Sequence, residues 1–233
     1  MSPKQRLILA LDVDNAREAE ALVRVLGPEV GWFKVGLELF VSEGPGIIER
    51  LRRAGARGIM LDLKLHDIPA TMRAAAKAAS RLGVGMLTCH CDQPGIFQGL
   101  ELGETKLLGV SVLTSLDRGD LAAMGYRREL TDPPALVLHR ARLAMAAGCH
   151  GVVCSGREAR TVREALGPEA IIVCPGIRMP GPRPKDDQKR VVDPATAIAA
   201  GADYIVVGRP IRLAPDPVRA AREVVGAIAS VRG

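Results

Sequence analysis

Short apolar runs alternate with amphipathic, Ala/Arg/Glu-rich stretches from one end of the chain to the other. No other feature limits the fold as much. The runs are Arg6–Asp12, Trp32–Gly36, Gly58–Lys64, Val84–His90, Lys106–Thr114, Gly151–Ser155, Ala170–Gly176 and Tyr204–Gly208. Near-continuous apolar runs of this length are what strands of a covered parallel sheet look like. Helical patterns lie between them over Ala16–Leu26, Ala70–Leu82, Pro134–Ala147, Arg157–Leu166 and Pro194–Ala200, and a last one spans Pro217–Val231. Eight strands alternating with helices in 233 residues is the count of an α/β (β/α)8 TIM barrel, which would take up residues 1–233 as a single domain. The competing fold, a doubly wound open sheet, draws its best support from a glycine-rich loop after the first strand. Asp12-Val13-Asp14-Asn15 stands there instead.

Composition narrows the partners. Hydrophobic residues make up 48% and charged residues 25%, ordinary for a soluble globular protein. Aromatics are only 3%, so the core must come from Ala, Val, Leu and Ile, and platforms for base stacking are missing. The formal charge of +6 favours anionic partners. No basic run is long enough for a nucleic-acid tail, so a small phosphorylated substrate fits the charge better than nucleic acid does. No apolar run approaches the roughly 18 residues of a membrane span. The five cysteines, 89, 91, 149, 154 and 174, form an odd set with no signal peptide, which points to reduced thiols and a cytoplasmic location. Cys89-His90-Cys91 puts one residue between two thiols, where zinc sites usually hold about two to four, so no metal site is expected there.

Residues 61–69 read Leu-Asp-Leu-Lys-Leu-His-Asp-Ile-Pro. Side chains alternate faces along a strand, so Leu61, Leu63 and Leu65 share one face and Asp62 and Lys64 the other. Asp67 follows just past the strand end. Charges on a segment otherwise apolar enough to be buried are costly unless paired. At the C-terminal end of a barrel strand, such a cluster marks a reaction centre. The other strand ends add to it: Asp12 after the first strand, Lys34 on the second, Thr114 after the fifth, Arg178 after the seventh, and Gly208-Arg209 after the eighth. Loops after the last two strands of a barrel often hold phosphate, and Arg178 and Arg209 would meet it there with backbone N–H groups near Gly208. The Pro-rich stretch Arg178–Arg190 is a long loop, as functional lids are. Neighbouring charges of opposite sign hold one another ionised. Lys64, cationic and fixed, can donate a proton to a developing carbanion and stabilise it. A carboxylate beside it would disfavour a bound substrate carboxylate and favour loss of CO2.

At these residues the chain resembles the orotidine 5′-phosphate decarboxylase family. Asp62-Leu-Lys64-Leu-His-Asp67-Ile-Pro matches the family signature. The likeness continues through Leu9-Ala-Leu-Asp12, Phe33-Lys34-Val-Gly, Leu113-Thr114-Ser, Pro175-Gly-Ile-Arg178, Asp187-Gln188 with Arg190, and Val207-Gly-Arg209-Pro. The resemblance implies a cofactor-free homodimeric barrel that converts orotidine monophosphate to uridine monophosphate and CO2. It casts Lys64 as the proton donor to C6 and Asp62 as the carboxylate facing the substrate carboxylate. Lys34 and Asp67 complete the charge network. Asp12 and Thr71 resemble ribose contacts, and Thr114 a pyrimidine-side contact. Arg178, Gln188, Gly208 and Arg209 resemble the phosphate end, with Gln188 bridging toward the base. Asp67, Ile68 and Thr71 would reach the partner subunit's site. Two departures stand out: Ala70 replaces an Asn common in the family, and 179–186 match loosely. The nearest alternative is a Mg2+-dependent sugar-phosphate decarboxylase or aldolase of the same superfamily. Such enzymes resemble this chain in Asp-x-Lys-x-x-Asp but place a Glu on the second strand, where Lys34 stands here. A non-catalytic nucleotide-binding barrel is the remaining reading, and the charge array, costly to bury, speaks against it.

Overall fold

The computed structural model describes residues 1–180 and 190–231. The eight strands are β1 (Leu7–Ala10), β2 (Trp32–Gly36), β3 (Gly58–Leu65), β4 (Met86–Cys89), β5 (Lys106–Val110), β6 (Gly151–Val153), β7 (Ile171–Cys174) and β8 (Tyr204–Val207). Each pairs in parallel with its neighbours, and β8 returns to β1, closing the barrel. Closure removes the open edges that a parallel sheet would otherwise expose.

Period-two alternation sorts the side chains into two cores. Ile8, Ala10, Met60, Met86, Leu108, Val173 and Val206 point inward and fill the barrel. Leu7, Leu9, Phe33, Val35, Ile59, Leu61 and their equivalents point outward against the helices. The floor is closed by Trp32 and Tyr204, whose rings meet edge to face with centroids 5.8 Å apart. A Cβ on Gly58 would lie 2.5 Å from the Trp32 ring, and one on Gly85 2.6 Å, so these two glycines make the room for it.

The helices are α1 (Ala16–Leu26), α2 (Leu37–Glu43), α3 (Gly46–Arg53), α4 (Pro69–Arg81), α5 (Arg118–Ala123), α6 (Pro133–Ala147), α7 (Ala159–Leu166), α8 (Pro194–Ala199), α9 (Arg209–Arg212) and α10 (Pro217–Ala229). Proline occupies the first turn of α4, α6, α8 and α10, where its missing N–H leaves no gap. Side chains of Asn15, Asp193 and Asp216 cap α1, α8 and α10.

The observed elements depart from the sequence reading in three places. The strands are shorter than expected at the mouth: β1 stops at Ala10 rather than Asp12, and β5 at Val110 rather than Thr114. Beyond them the ladder continues as single bonds, Leu11 N–H to Lys34 O and Ser111 N–H to Val153 O, both 3.0 Å, before the chain turns into the mouth loops. Helices α2, α3, α5 and α9 are additional short elements. Between β4 and β5 the connection is built from turns alone, because Gly95, Gly99 and Gly103 adopt φ of 75°, 65° and 57° and break any helix.

Candidate active site

The barrel opens at the C-terminal ends of its strands into a cavity of about 300 Å3. Asp12, Lys34, Asp62, Lys64, Thr114, Arg178, Gly208 and Arg209 all line it. The residues named from strand ends therefore converge in space, as the barrel closes those ends into one ring.

One wall is a chain of alternating charges. Lys34 Nζ lies 3.0 Å from Asp12 Oδ1 and 3.5 Å from Asp62 Oδ2, and Lys64 Nζ lies 2.9 Å from the same Asp62 oxygen. Burial by itself would lower the Lys34 pKa, but the negative charges of Asp62 and Asp12 overcome it and hold the ammonium above its usual range. Burial likewise would raise Asp62, yet the charges of Lys34 and Lys64, with hydrogen bonds from Lys64 and Thr88, hold it below the usual carboxylate range. The array is thus ionised because its members face one another. Gly36 keeps it intact, since a Cβ there would lie 3.0 Å from Lys34 Nζ.

The backbone of β3 is bent to present these side chains. Leu61 pairs with Leu87 and Leu65 with Cys89, so four steps along β3 face two along β4. Within that bulge Lys64 has φ 51°, the one positive φ outside glycine among the described residues. A left-handed lysine costs energy and persists only where surrounding contacts over-determine it. Those contacts come from Thr88, which accepts a hydrogen bond from Lys64 N–H (2.9 Å) and donates one to Asp62 Oδ1 (2.8 Å). Thr88 was not singled out in the sequence, where it is an uncharged residue inside an apolar strand. Its inward position, two residues from Met86, was the available signal.

Arg178 and Arg209 line the same cavity. The segment after β7 is anchored at both of its described ends. Ile177 and Val192 form a parallel bridge, with Arg178 N–H on Val192 O (3.0 Å) and Val192 N–H on Gly176 O (3.3 Å). Arg190 is buried; its guanidinium donates to Glu158 Oε1 (2.9 Å), Val112 O (2.8 Å) and Leu113 O (3.2 Å). It thereby ties the chain at residue 190 to the stretch after β5 that carries Thr114. Glu158 had no signal in the sequence. Gly208 packs tightly, a Cβ there lying 3.3 Å from both Ala10 Cβ and Asp12 Oδ2, so the backbone comes close to the array. Gln188 and Asp187 lie outside the described residues.

Asp67, Ile68 and Thr71 do not line this cavity. Asp67 and Ile68 border a neighbouring hollow of about 290 Å3, with His66, Met72, His90 and Asp92. Asp67 is exposed and its Oδ1 accepts from Ile68 N–H (2.6 Å); Thr71 is exposed on α4.

A closed parallel barrel with an ionised array and arginines around its C-terminal mouth is a (β/α)8-barrel enzyme. The statistical profile of the Orotidine 5'-phosphate decarboxylase / HUMPS family matches residues 5–224, and the chain belongs to this family. It is 47% identical to an orotidine 5'-phosphate decarboxylase of Anaeromyxobacter sp. (strain K), over 96% of this chain and 98% of that protein. It is 45% identical to the orotidine 5'-phosphate decarboxylase of Rhodopseudomonas palustris, over 99% of this chain and 96% of that protein. The crystal structure of orotidine 5'-phosphate decarboxylase from Lactobacillus acidophilus superimposes with a TM-score of 0.80 at 32% identity, covering 96% of this chain and 99% of that one.

Proposed function

We propose that this chain converts orotidine 5′-phosphate to uridine 5′-phosphate and CO2, the closing decarboxylation of pyrimidine nucleotide synthesis, with no metal or cofactor. The observation that carries the reading is the Asp12–Lys34–Asp62–Lys64 array on a cavity that Arg178 and Arg209 also line. The arginines and the backbone at Gly208 take the phosphate, together with Gln188. Asp12 meets the ribose and Thr114 the pyrimidine. This binding energy presses the substrate carboxylate toward Asp62, whose ionised state the two lysines maintain. As the bond from C6 to the carboxylate breaks, its electrons stay at C6 and CO2 leaves. The Lys64 ammonium stabilises that charge and delivers its proton to C6. The lysine then regains a proton from water.

The Mg2+-dependent reading fits poorly, because Lys34 already places a cation between the carboxylates of Asp12 and Asp62. Activity is read from the ultraviolet absorbance of orotidine 5′-phosphate, with and without a chelator. Turnover unaffected by EDTA is expected. Absence of turnover, or loss with EDTA restored by Mg2+, would overturn the proposal.

The working unit in this reading is a homodimer, with Asp67, Ile68 and Thr71 entering the partner subunit's site. Supporting it, Asp67 is exposed beside the mouth and Ile68 leaves 66% of its surface in solvent. In a mixed dimer of Lys64→Ala and Asp67→Ala chains, one site receives both lesions and the other neither. Random refolding of the two variants makes about half the dimers mixed, so activity returns to roughly a quarter of wild type. Mixed dimers, identified by a mass tag, that stay inactive would place Asp67 in its own subunit's site. We read residues 1–233 as one domain. A cytoplasmic location is part of the proposal, supported by five free cysteines, all buried. Among the described residues no helix is long and apolar enough to cross a membrane.

A further inference from the structure

Outside the active-site cavity, three thiols meet behind β4. Cys89 ends the strand, Cys91 follows it, and Cys149 arrives from the turn after α6, far away in sequence. Their sulfurs are 3.8 Å (Cys89–Cys91), 3.7 Å (Cys89–Cys149) and 3.4 Å (Cys91–Cys149) apart. All are buried in the layer between strands and helices. The spacing rule that argued against Cys89-His90-Cys91 considered two thiols. The third comes only with the fold, through the close approach of α6 to β5. A Cβ on Gly109 would lie 2.3 Å from Ala144 Cβ and 3.7 Å from Cys91 Sγ.

We propose that Cys89, Cys91 and Cys149 form a binding site for a trivalent thiophilic ion, of which arsenite is the simplest probe. The donors are all sulfur, which selects soft ions over hard ones. Bonds of about 2.3 Å with angles near 100–110° set three thiolate sulfurs roughly 3.5–3.8 Å apart, and the trio needs adjustments of only a tenth or so of an ångström to match. Among the described residues no further His, Cys, Asp or Glu joins the group, so it offers three bonds. Charge then decides the valence. Three thiolates leave a net negative charge on a monovalent or divalent ion and none on a trivalent one, and net charge in an apolar site is costly. The step balances without electron transfer: three As–S bonds replace three As–O bonds, and the thiol protons leave with the hydroxyls as three waters. Such an ion would grip the strand ends that carry the array, because Cys89 pairs with Leu65 and adjoins Thr88.

The test is native mass spectrometry of the reduced, full-length protein titrated with sodium arsenite, alongside X-ray absorption at the arsenic edge. One arsenic replacing three hydrogens per chain, with three sulfur and no oxygen neighbours, is expected. Cys149→Ala should weaken binding by more than the roughly 10–100-fold typical of losing an outer-shell partner. Cys174→Ala, outside the trio, should bind as wild type does. No adduct, a shell of two sulfurs and an oxygen, or equal loss in Cys174→Ala would overturn the proposal. The absorption result on wild-type protein decides the matter even if Cys149→Ala fails to fold.

Discussion

Asp62 sits between two ammonium groups, whereas Glu158 faces one guanidinium. Both carboxylates belong to the mouth of the same barrel, and burial pushes both toward the protonated form. At Asp62 the charges of Lys34 and Lys64, and hydrogen bonds from Lys64 and Thr88, outweigh burial, and the carboxyl is held below its usual range. At Glu158 burial prevails over the charge and hydrogen bond of Arg190, and the carboxyl is raised. The first cluster faces a cavity and stays ionised at the point where a reacting group would sit. The second has partners on closed packing, with side-chain exposures of 6% for Arg190 and 5% for Glu158, and holds a loop end in place. A buried carboxylate is thus a reagent or an anchor according to how many cations surround it and whether it faces open space.

The sharpest way to break this contrast is Lys64→Ala. A loss in kcat of at least the roughly 10²–10⁴-fold assigned to general acid catalysis is expected, with binding of a substrate analogue reduced far less. A variant that keeps more than about a tenth of wild-type kcat would contradict the proton-donor role and with it the reactive reading of the array.

The anchor should fail in the other observable. Glu158→Ala leaves the Arg190 charge buried without its carboxylate, and a loss of about 3–5 kcal/mol in denaturant unfolding is expected. Asp62→Asn should cost less stability while removing most activity, because Asp12 still pairs Lys34 and the cavity admits water. Equal stability losses in the two variants would erase the distinction.

Acid titration is the smallest effect and separates the two by sign. The folded pKa of Asp62 is depressed, so its contribution is full above the unfolded value of about 3.9 and disappears as pH falls through the lower folded value. Glu158 is raised. As pH falls through its folded pKa toward the unfolded value of about 4.3, it takes up a proton earlier in the folded state, and the native state gains stability from this group. Unfolding midpoints of wild type against Asp62→Asn should therefore converge only at the acid extreme. Those against Glu158→Gln should change earlier, in favour of wild type. Changes in one common pH window would show that the two carboxylates share an environment.

Much of the mouth was legible from local rules. Period-two alternation put Asp62 and Lys64 on the inner face and Leu61 on the outer, and both hold despite the bulge. Strand-end position picked out Asp12, Thr114, Arg178 and Arg209, because a closed parallel barrel brings every strand end to one ring. Thr88 escaped because a threonine in an apolar strand reads as packing until β4 is laid beside the bulged β3. The turn-built link between β4 and β5 escaped because its glycines interrupt no strong helical pattern.

The amino-acid sequence by itself determined the repeating strands and helices, the inward charges and the mouth they share, since each depends on neighbours a few residues apart. Only the tertiary structure decided which charges pair, that Lys64 is held left-handed, that Arg190 finds Glu158, and that Cys149 joins Cys89 and Cys91. Apart from the Lys64–Asp62 pair, these contacts join residues tens of positions apart, and their distances are set by strand register and by how closely a helix packs on the barrel. No periodicity along the chain encodes either quantity.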